Sequence, residues 1–301
     1  MKRKIYHNLL IIGLFITVCL TWGTTWIAMK ITVSTVPPIL ATGLRFLCAA
    51  PLLLLLAYYK KAPLLFPSGQ FGFQLCVTLF YFAIPFTLML YGERYTSSSL
   101  ASIIFATMPA AVLTLSLIIL RERATVRQIL GLAISIVTLS IILWYEGHSS
   151  IKNQLCGIVA LLIAVLMHAI MYVQCKKRCV GISVLSYNAL PSLGAGVLLT
   201  ALGLNESPNF HTFTLQSLLS ISYLGIVAGV GGVLAYFSLQ KITQPFKASL
   251  VFMIFPIISV ILDNIINGSS ISYQSIILLI PFLLGMILIL LHRHPERPNA
   301  L

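Results

Sequence analysis

Two ionisable side chains, Arg45 and His168, stand deep inside apolar stretches of this 301-residue chain. Arg45 lies about eight residues from the outer end of its apolar segment, roughly 12 Å deep at 1.5 Å rise per residue. A guanidinium at that depth must pair, snorkel or face a water-filled cavity. Arg45 is therefore either an anion-attracting group on a pathway or a clamp on backbone carbonyls, and the clamp reading makes it matter for folding more than for ligand choice. An imidazole exchanges protons near neutral pH, so His168 is a candidate proton-sensitive group; the alternative is a neutral ring bonded to a backbone carbonyl. Glu93 and Asp263 fall near the outer ends of their segments, where water is expected to reach them. With no carboxylate at mid-depth, a carboxylate proton relay is not expected.

Aromatic residues supply a different chemistry. Trp22, Trp26, Tyr81, Tyr172 and Tyr236 are spread through the apolar segments. Tyr and Trp combine an apolar face with one polar handle, which suits an amphipathic or cationic small molecule. Lipid-facing rings are the alternative, and Trp26 fits an interfacial belt. The six cysteines show no Cys-x-x-Cys pair and read as small apolar fillers, so neither a metal nor a cofactor is expected. A membrane-embedded enzyme would need paired acids, a His cluster or a Ser/His pair at mid-depth, and the sequence presents none.

The elements that position these residues follow from composition. With 59% hydrophobic and 8% charged residues, the chain departs far from a soluble domain. A bilayer core takes about 20 apolar residues per helix. Ten such spans are predicted, near 8–29, 37–59, 70–91, 97–119, 126–145, 152–174, 180–203, 214–239, 245–265 and 272–292. The net charge of +13 does not point to nucleic acid. With the amino terminus inside, fifteen of the nineteen Lys and Arg residues fall on the inner side, and only Lys30, Arg94 and Lys152 on the outer. This is the positive-inside pattern, and it predicts both termini in the cytoplasm. The first span runs on into Trp22 and Trp26 without a small-residue cleavage site, so it reads as a retained helix and not a signal peptide.

The middle of the chain is written twice. Ala101-Ser102-Ile103-Ile104-Phe105, followed by Pro109, returns 147 residues later as Ala248-Ser249-Leu250-Val251-Phe252, followed by Pro256. The same offset pairs Lys30 with Lys177, Glu93 with Gln240 and Thr96 with Thr243. An odd number of spans per half makes the halves inverted, related by a pseudo-two-fold axis in the membrane plane. The halves divide as residues 1–148 and 149–301. Short polar joints at Gly92–Ser99 and Leu239–Pro245 force antiparallel hairpins. Pro109 and Pro256 fall mid-span, where each is expected to bend its helix. Gly225, Gly229, Gly231 and Gly232 on the eighth span predict close helix approach.

At these residues the sequence resembles the drug/metabolite transporter superfamily, in its EamA-type, ten-helix branch. The resemblance rests on Trp22-Gly23-Thr24-Thr25-Trp26, Leu44-Arg45-Phe46, Tyr95 to Ile104 with Pro109, Leu120-Arg121-Glu122-Arg123, and Gln128-Ile129-Leu130-Gly131. The second copy ends in Asn267-Gly268-Ser269, so Glu122 has no counterpart there. The resemblance implies an all-α membrane protein with ten transmembrane helices as two inverted five-helix repeats. It further implies a secondary transporter of small metabolites in the cell (inner) membrane, with no fixed substrate.

The register brings Thr21 and Trp22 close in depth to His168 and Tyr172, with Tyr81 and Tyr236 approaching from spans 3 and 8. The substrate site is therefore expected between the halves, bounded by Thr21, Trp22, Tyr81, His168, Tyr172 and Tyr236, with Arg45, Pro109 and Pro256 structural or gating. Such walls favour an amino acid-like, cationic or aromatic metabolite, and the resemblance implies that it is moved by alternating access, outward. Import or exchange on the same fold is the alternative. The expected partners are the substrate and the bilayer; protons as a coupling ion, and a monomer or a homodimer, stay open.

Overall fold

The computed structural model describes residues 2–121, 124–146, 153–178, 181–243, 248, 250–268 and 271–290. Its α-helices run α1 (Lys2–Val33), α2 (Pro38–Tyr59), α3 (Phe71–Val77), α4 (Ile84–Tyr95), α5 (Ser98–Ala106), α6 (Met108–Ile119), α7 (Val126–Glu146), α8 (Gln154–Arg178), α9 (Val184–Asn205), α10 (Leu215–Ser222), α11 (Val233–Ile242), α12 (Val251–Asn267) and α13 (Tyr273–Leu290). π-Helical turns over Thr78–Ala83 join α3 to α4, and over Tyr223–Gly232 join α10 to α11. With α5 and α6 forming one broken rod, these helices make the ten expected spans. Eight are long and apolar enough to cross a bilayer, and α12 and α13 are shorter apolar helices. Glu122, Arg123, Lys152, the division at 148/149 and the Gln244–Pro245 joint lie outside the described residues.

Local chemistry sets the helix ends. The hydroxyls of Ser97, Ser183 and Thr214 accept hydrogen bonds from the amides of Leu100, Ser186 and Ser217 at 3.2, 3.0 and 3.2 Å, each capping a helix start. Thr125 and Gln128 form a reciprocal box ahead of α7: the Thr125 amide donates to Gln128 Oε1 at 3.0 Å, and the Gln128 amide donates to Thr125 Oγ1 at 3.4 Å. Gly268 ends α12 with φ of 62°, a left-handed conformation that glycine adopts without strain. Span 4 breaks at Thr107, and Pro109 sits in the first turn of α6, where a missing amide costs nothing. Pro256 behaves differently: it is buried within α12, which continues through it as one helix.

Small residues let backbones touch. A β-carbon at Gly43 would stand 2.5 Å from the Thr200 amide, and one at Gly203 2.7 Å from the Leu40 amide, so α2 and α9 pack backbone to backbone. Gly131 and Gly285 do the same for α7 and α13, as do Gly92 and Gly157 for α4 and α8. Gly225 lies against the Arg45 carbonyl and Gly232 against Thr21 and Trp22, which gives two of the four span-8 glycines a packing role. At the C-terminal end of α7, Glu146 Oε1 accepts from the Ser272 amide (3.1 Å) and from the Ser272 and Ser275 hydroxyls (both 2.7 Å), tying α7 to the start of α13. The main apolar core gathers residues of α1, α4, α5, α8 and α12.

Packing differs between the two ends of span 4. All nine residues of α5 are buried, whereas only Ala110 and Ser116 of the twelve in α6 are. α5 touches α1, α4, α8 and α12, which enclose it on every side. The bundle is thus closed at the end that holds the Glu93–Ser98 joint and looser toward the other. The positive-inside pattern of the sequence leads one to expect the closed end on the outside.

Candidate functional site

Aromatic rings form an array across the boundary between the two sets of five spans. Trp22 on α1 meets Tyr236 on α11 at 4.8 Å between ring centroids and Phe252 on α12 at 5.7 Å. Tyr81, in the first π-helical segment, meets His168 on α8 edge-on at 5.1 Å and Tyr187 on α9 at 5.3 Å. Trp26 and Phe105 link the two groups: Phe105 lies 5.0 Å from Trp26 and 5.9 Å from His168. Edge-to-face contacts of this kind are favoured by the ring quadrupole. Trp26 is only 4% exposed, so it belongs to this array and not to an interfacial belt.

The expected site residues divide accordingly. Thr21, Trp22 and Tyr236 come together around Gly232; a β-carbon there would stand 3.0 Å from Thr21 Oγ1 and 3.2 Å from Trp22 Nε1. Tyr81 and His168 come together in the second group. Tyr172 is 39% exposed and makes no ring contact among the described residues, although its phenol lies close enough to that of Tyr81 to interact electrostatically. The Thr21 hydroxyl is taken up by its own helix, donating to the Thr17 carbonyl at 2.8 Å. His168 Nδ1 lies 3.1 Å from the Ala164 carbonyl oxygen. At that distance from a carbonyl Nδ1 is the donor, and an Nδ1–H is common to the neutral and the protonated ring.

Arg45 departs from its expected clamp. Its guanidinium lies over the Phe86 ring at 4.7 Å and near Phe46 at 5.9 Å. Its Nε and Nη1 are buried and meet no acceptor among the described residues. Among the described residues the cation rests on the rings of Phe46 and Phe86, which pack together with Phe82.

Glu93 and Asp263 also depart from expectation. Neither is reached by water: they are 0% and 1% exposed. The tight joint folds α5 straight back against α4, and the last turn of α12 packs on the start of α5. Asp263 Oδ2 accepts from the Ser99 amide at 2.9 Å and the Ser99 hydroxyl at 2.7 Å, tying the end of the second set of spans to the first. A cavity of about 330 Å³ between α1, α10 and α12, with Thr24, Tyr223 and Leu262 in its walls, shares no residue with the aromatic array.

Phe105, Phe252 and Phe255 escaped the sequence reading, yet a signal existed. Phe105 and Phe252 are the fifth residues of the two written copies; Phe252 packs within the Trp22–Tyr236 group, and Phe105 bridges Trp26 to His168. The π-helical segments share a register too: residues 78–83 plus the repeat offset fall at 225–230, inside the second segment. π-Turns inside longer helices often accompany functional sites.

Comparison with known proteins bears on this arrangement. The EamA-like transporter family model matches residues 9–144 and again 155–291. Protein PagO of Salmonella typhimurium is 51% identical over 93% of both chains. An uncharacterized transporter of Buchnera aphidicola subsp. Schizaphis graminum is 48% identical over 95% of both. The uncharacterized inner membrane transporter YedA of Escherichia coli is 24% identical over 95% of this chain and 93% of its own. A solved crystal structure shares the fold with a TM-score of 0.66 at 15% identity, covering 93% of this chain and 96% of that one. One match for each set of five spans, together with near full-length relatives named as transporters, makes this multi-pass membrane protein a member of the EamA-like transporter family.

Proposed function

We propose that the protein is a secondary transporter carrying a small organic metabolite, amino acid-like, cationic or aromatic, across the cytoplasmic membrane by alternating access, in the direction of export. The halves divide at 148/149, and the substrate site lies between them at Thr21, Trp22, Tyr81, His168, Tyr172 and Tyr236. One observation carries the reading: the contacts Trp22–Tyr236, Trp22–Phe252, Tyr81–His168 and Phe105–His168 all run from the first half to the second. A ring-lined seam between inverted repeats is where a carrier of this design holds its substrate. A thermal-shift screen of purified protein tests it. Aromatic, cationic or amino acid-like metabolites should raise the melting temperature of the wild type and not of Trp22→Ala. Stabilisation by sugars or sugar phosphates alone would contradict the reading.

Arg45 favours the amino acid-like member of that class, since its Nε and Nη1, which meet no acceptor among the described residues, suit a carboxylate. Arg45→Met keeps most of the side-chain volume and removes the charge. It should fold and lose binding of carboxylate-bearing ligands while keeping that of cationic ones; equal loss of both would return Arg45 to a purely structural role.

Orientation follows from the basic residues. Reporter fusions at Lys60 and Lys176 should read cytoplasmic, and at Lys152 external. A cytoplasmic signal at Lys152 would contradict the inverted topology.

A further inference from the structure

The closed end of the bundle holds three charged side chains that the aromatic seam does not use. Glu93 on α4 and Asp263 on α12 are buried, and Lys30 on α1 donates to the carbonyls of Glu93 and Thr96 at 2.8 and 2.5 Å. The other elements packed here bring neutral groups: Ser98 and Ser99 from α5, and Gly157 and Leu161 from α8. Arg94, the next residue along, is exposed.

The two carboxyl groups are provided for differently. Asp263 has donors at both oxygens, the Ser99 amide and hydroxyl at Oδ2 and Asn267 Nδ2 at Oδ1 (2.8 Å). Each hydrogen bond that the described residues make to it is donated to a carboxyl oxygen, as a carboxylate accepts, and Lys30 brings a positive charge to the same joint. Glu93 Oε1 is buried with no partner among the described residues. Its Oε2 has Ser98 Oγ at 3.2 Å, but that hydroxyl is also 3.3 Å from the Trp26 carbonyl oxygen. One hydroxyl hydrogen cannot serve two acceptors. A proton on Glu93 Oε2 resolves the count: Oε2 donates to Ser98 Oγ, and Ser98 donates to Trp26 O. An ionised Glu93 would instead be a second buried anion against one lysine, an arrangement that burial penalises.

The repeat adds an independent observation. Its offset carries Lys30 onto Lys177 and Thr96 onto Thr243, but Glu93 onto Gln240 and Asp263 back onto Ser116. The corresponding joint at the opposite end has no acid at either place. The acid pair was written into one end only.

The geometry points to Glu93 as a proton-binding site of the outer gate: the gate closes when Glu93 Oε2 takes a proton from the outer water, and opens when that proton leaves and the carboxylate hydrates. The external proton concentration thereby sets how long the carrier faces outward. This rests on the alternating-access reading given above, and its test needs no substrate.

Spin labels at Arg94→Cys and Ile265→Cys, with the native cysteines replaced and the protein in lipid nanodiscs, report the separation of α4 and α12 at the gate. Both positions are exposed. The distance should lengthen as pH rises, while Glu93→Gln stays at the short distance at every pH. Infrared spectra should show a protonated carboxyl band in the closed wild type that is missing from Glu93→Gln. A pH response in Glu93→Gln equal to the wild type's, or a band that survives the substitution, would overturn the assignment. Where Glu93→Gln yields no folded protein, Ser98→Ala serves: loss of the hydroxyl that receives the proton should move the midpoint of the distance change by about one pH unit. An unmoved midpoint overturns it equally. A retained pH response in a protein that binds none of the screened metabolites would support the gate and count only against the substrate reading.

Discussion

Replacing Trp22 by alanine should lower transport at least about tenfold, the loss of roughly 1.4 kcal/mol of binding or transition-state stabilisation. The indole is the part of the seam that touches both Tyr236 and Phe252 while staying only half-buried, so it has a face left for a ligand. Truncation also removes packing against those two rings, and the melting temperature should fall as well. Trp22→Phe separates the two effects, because it keeps a ring against Tyr236 and Phe252 and deletes Nε1–H. It should melt close to the wild type. Transport near wild type in Trp22→Phe assigns the indole ring face to the substrate, and transport as low as in Trp22→Ala assigns the N–H. Wild-type transport in both variants would move the site away from Trp22. Rates in cells normalised to folded protein give the comparison.

Gly43→Val should yield almost no folded protein. Even the first added carbon meets the Thr200 amide and the Leu199 carbonyl carbon, at 2.5 and 2.9 Å, and backbone has no rotamer with which to yield. Overpacking of well-packed positions costs about 1–3 kcal/mol or more, and valine adds two further methyls between α2 and α9. Gly13 is the control. A β-carbon there meets nothing within 4 Å, so Gly13→Ala should keep the fold and gain helix propensity. Detergent-solubilised monodisperse yield and thermal unfolding of both variants check the contrast; normal yield of Gly43→Val would show that α2 and α9 are not in backbone contact.

The ten spans were legible because apolar runs of bilayer length are hard to mistake, and the written repeat gave the pairing of Lys30 with Lys177 and Phe105 with Phe252 directly. The hairpin at Thr96–Ser97 was legible from its polar, short composition. Burial of Glu93 and Asp263 was not. Position near a helix end predicts hydration only when nothing packs over that end, and here α5 and the last turn of α12 do. Arg45 was legible as a deep cation, but its stack on Phe86 depends on which face of α4 turns toward α2. The π-turn over Thr78–Ala83 left no local mark, because Thr-Leu-Phe-Tyr-Phe-Ala reads as ordinary helix; in the second copy glycines hint at it. Tyr172 follows His168 by one turn, yet its ring remains at the outside of the array. Its place in the site is carried by register and by its electrostatic interaction with Tyr81.

The account rests on the claim that a small organic metabolite with an aromatic, cationic or amino acid-like part passes through the seam at Trp22. Untargeted comparison of extracellular metabolites from cells overexpressing the wild type, overexpressing Trp22→Ala, and carrying the empty vector tests that claim most directly. The account predicts at least one metabolite of that class enriched in the medium with the wild type and at vector level with Trp22→Ala. Identical extracellular profiles in all three, or an enrichment that Trp22→Ala preserves in full, would contradict it.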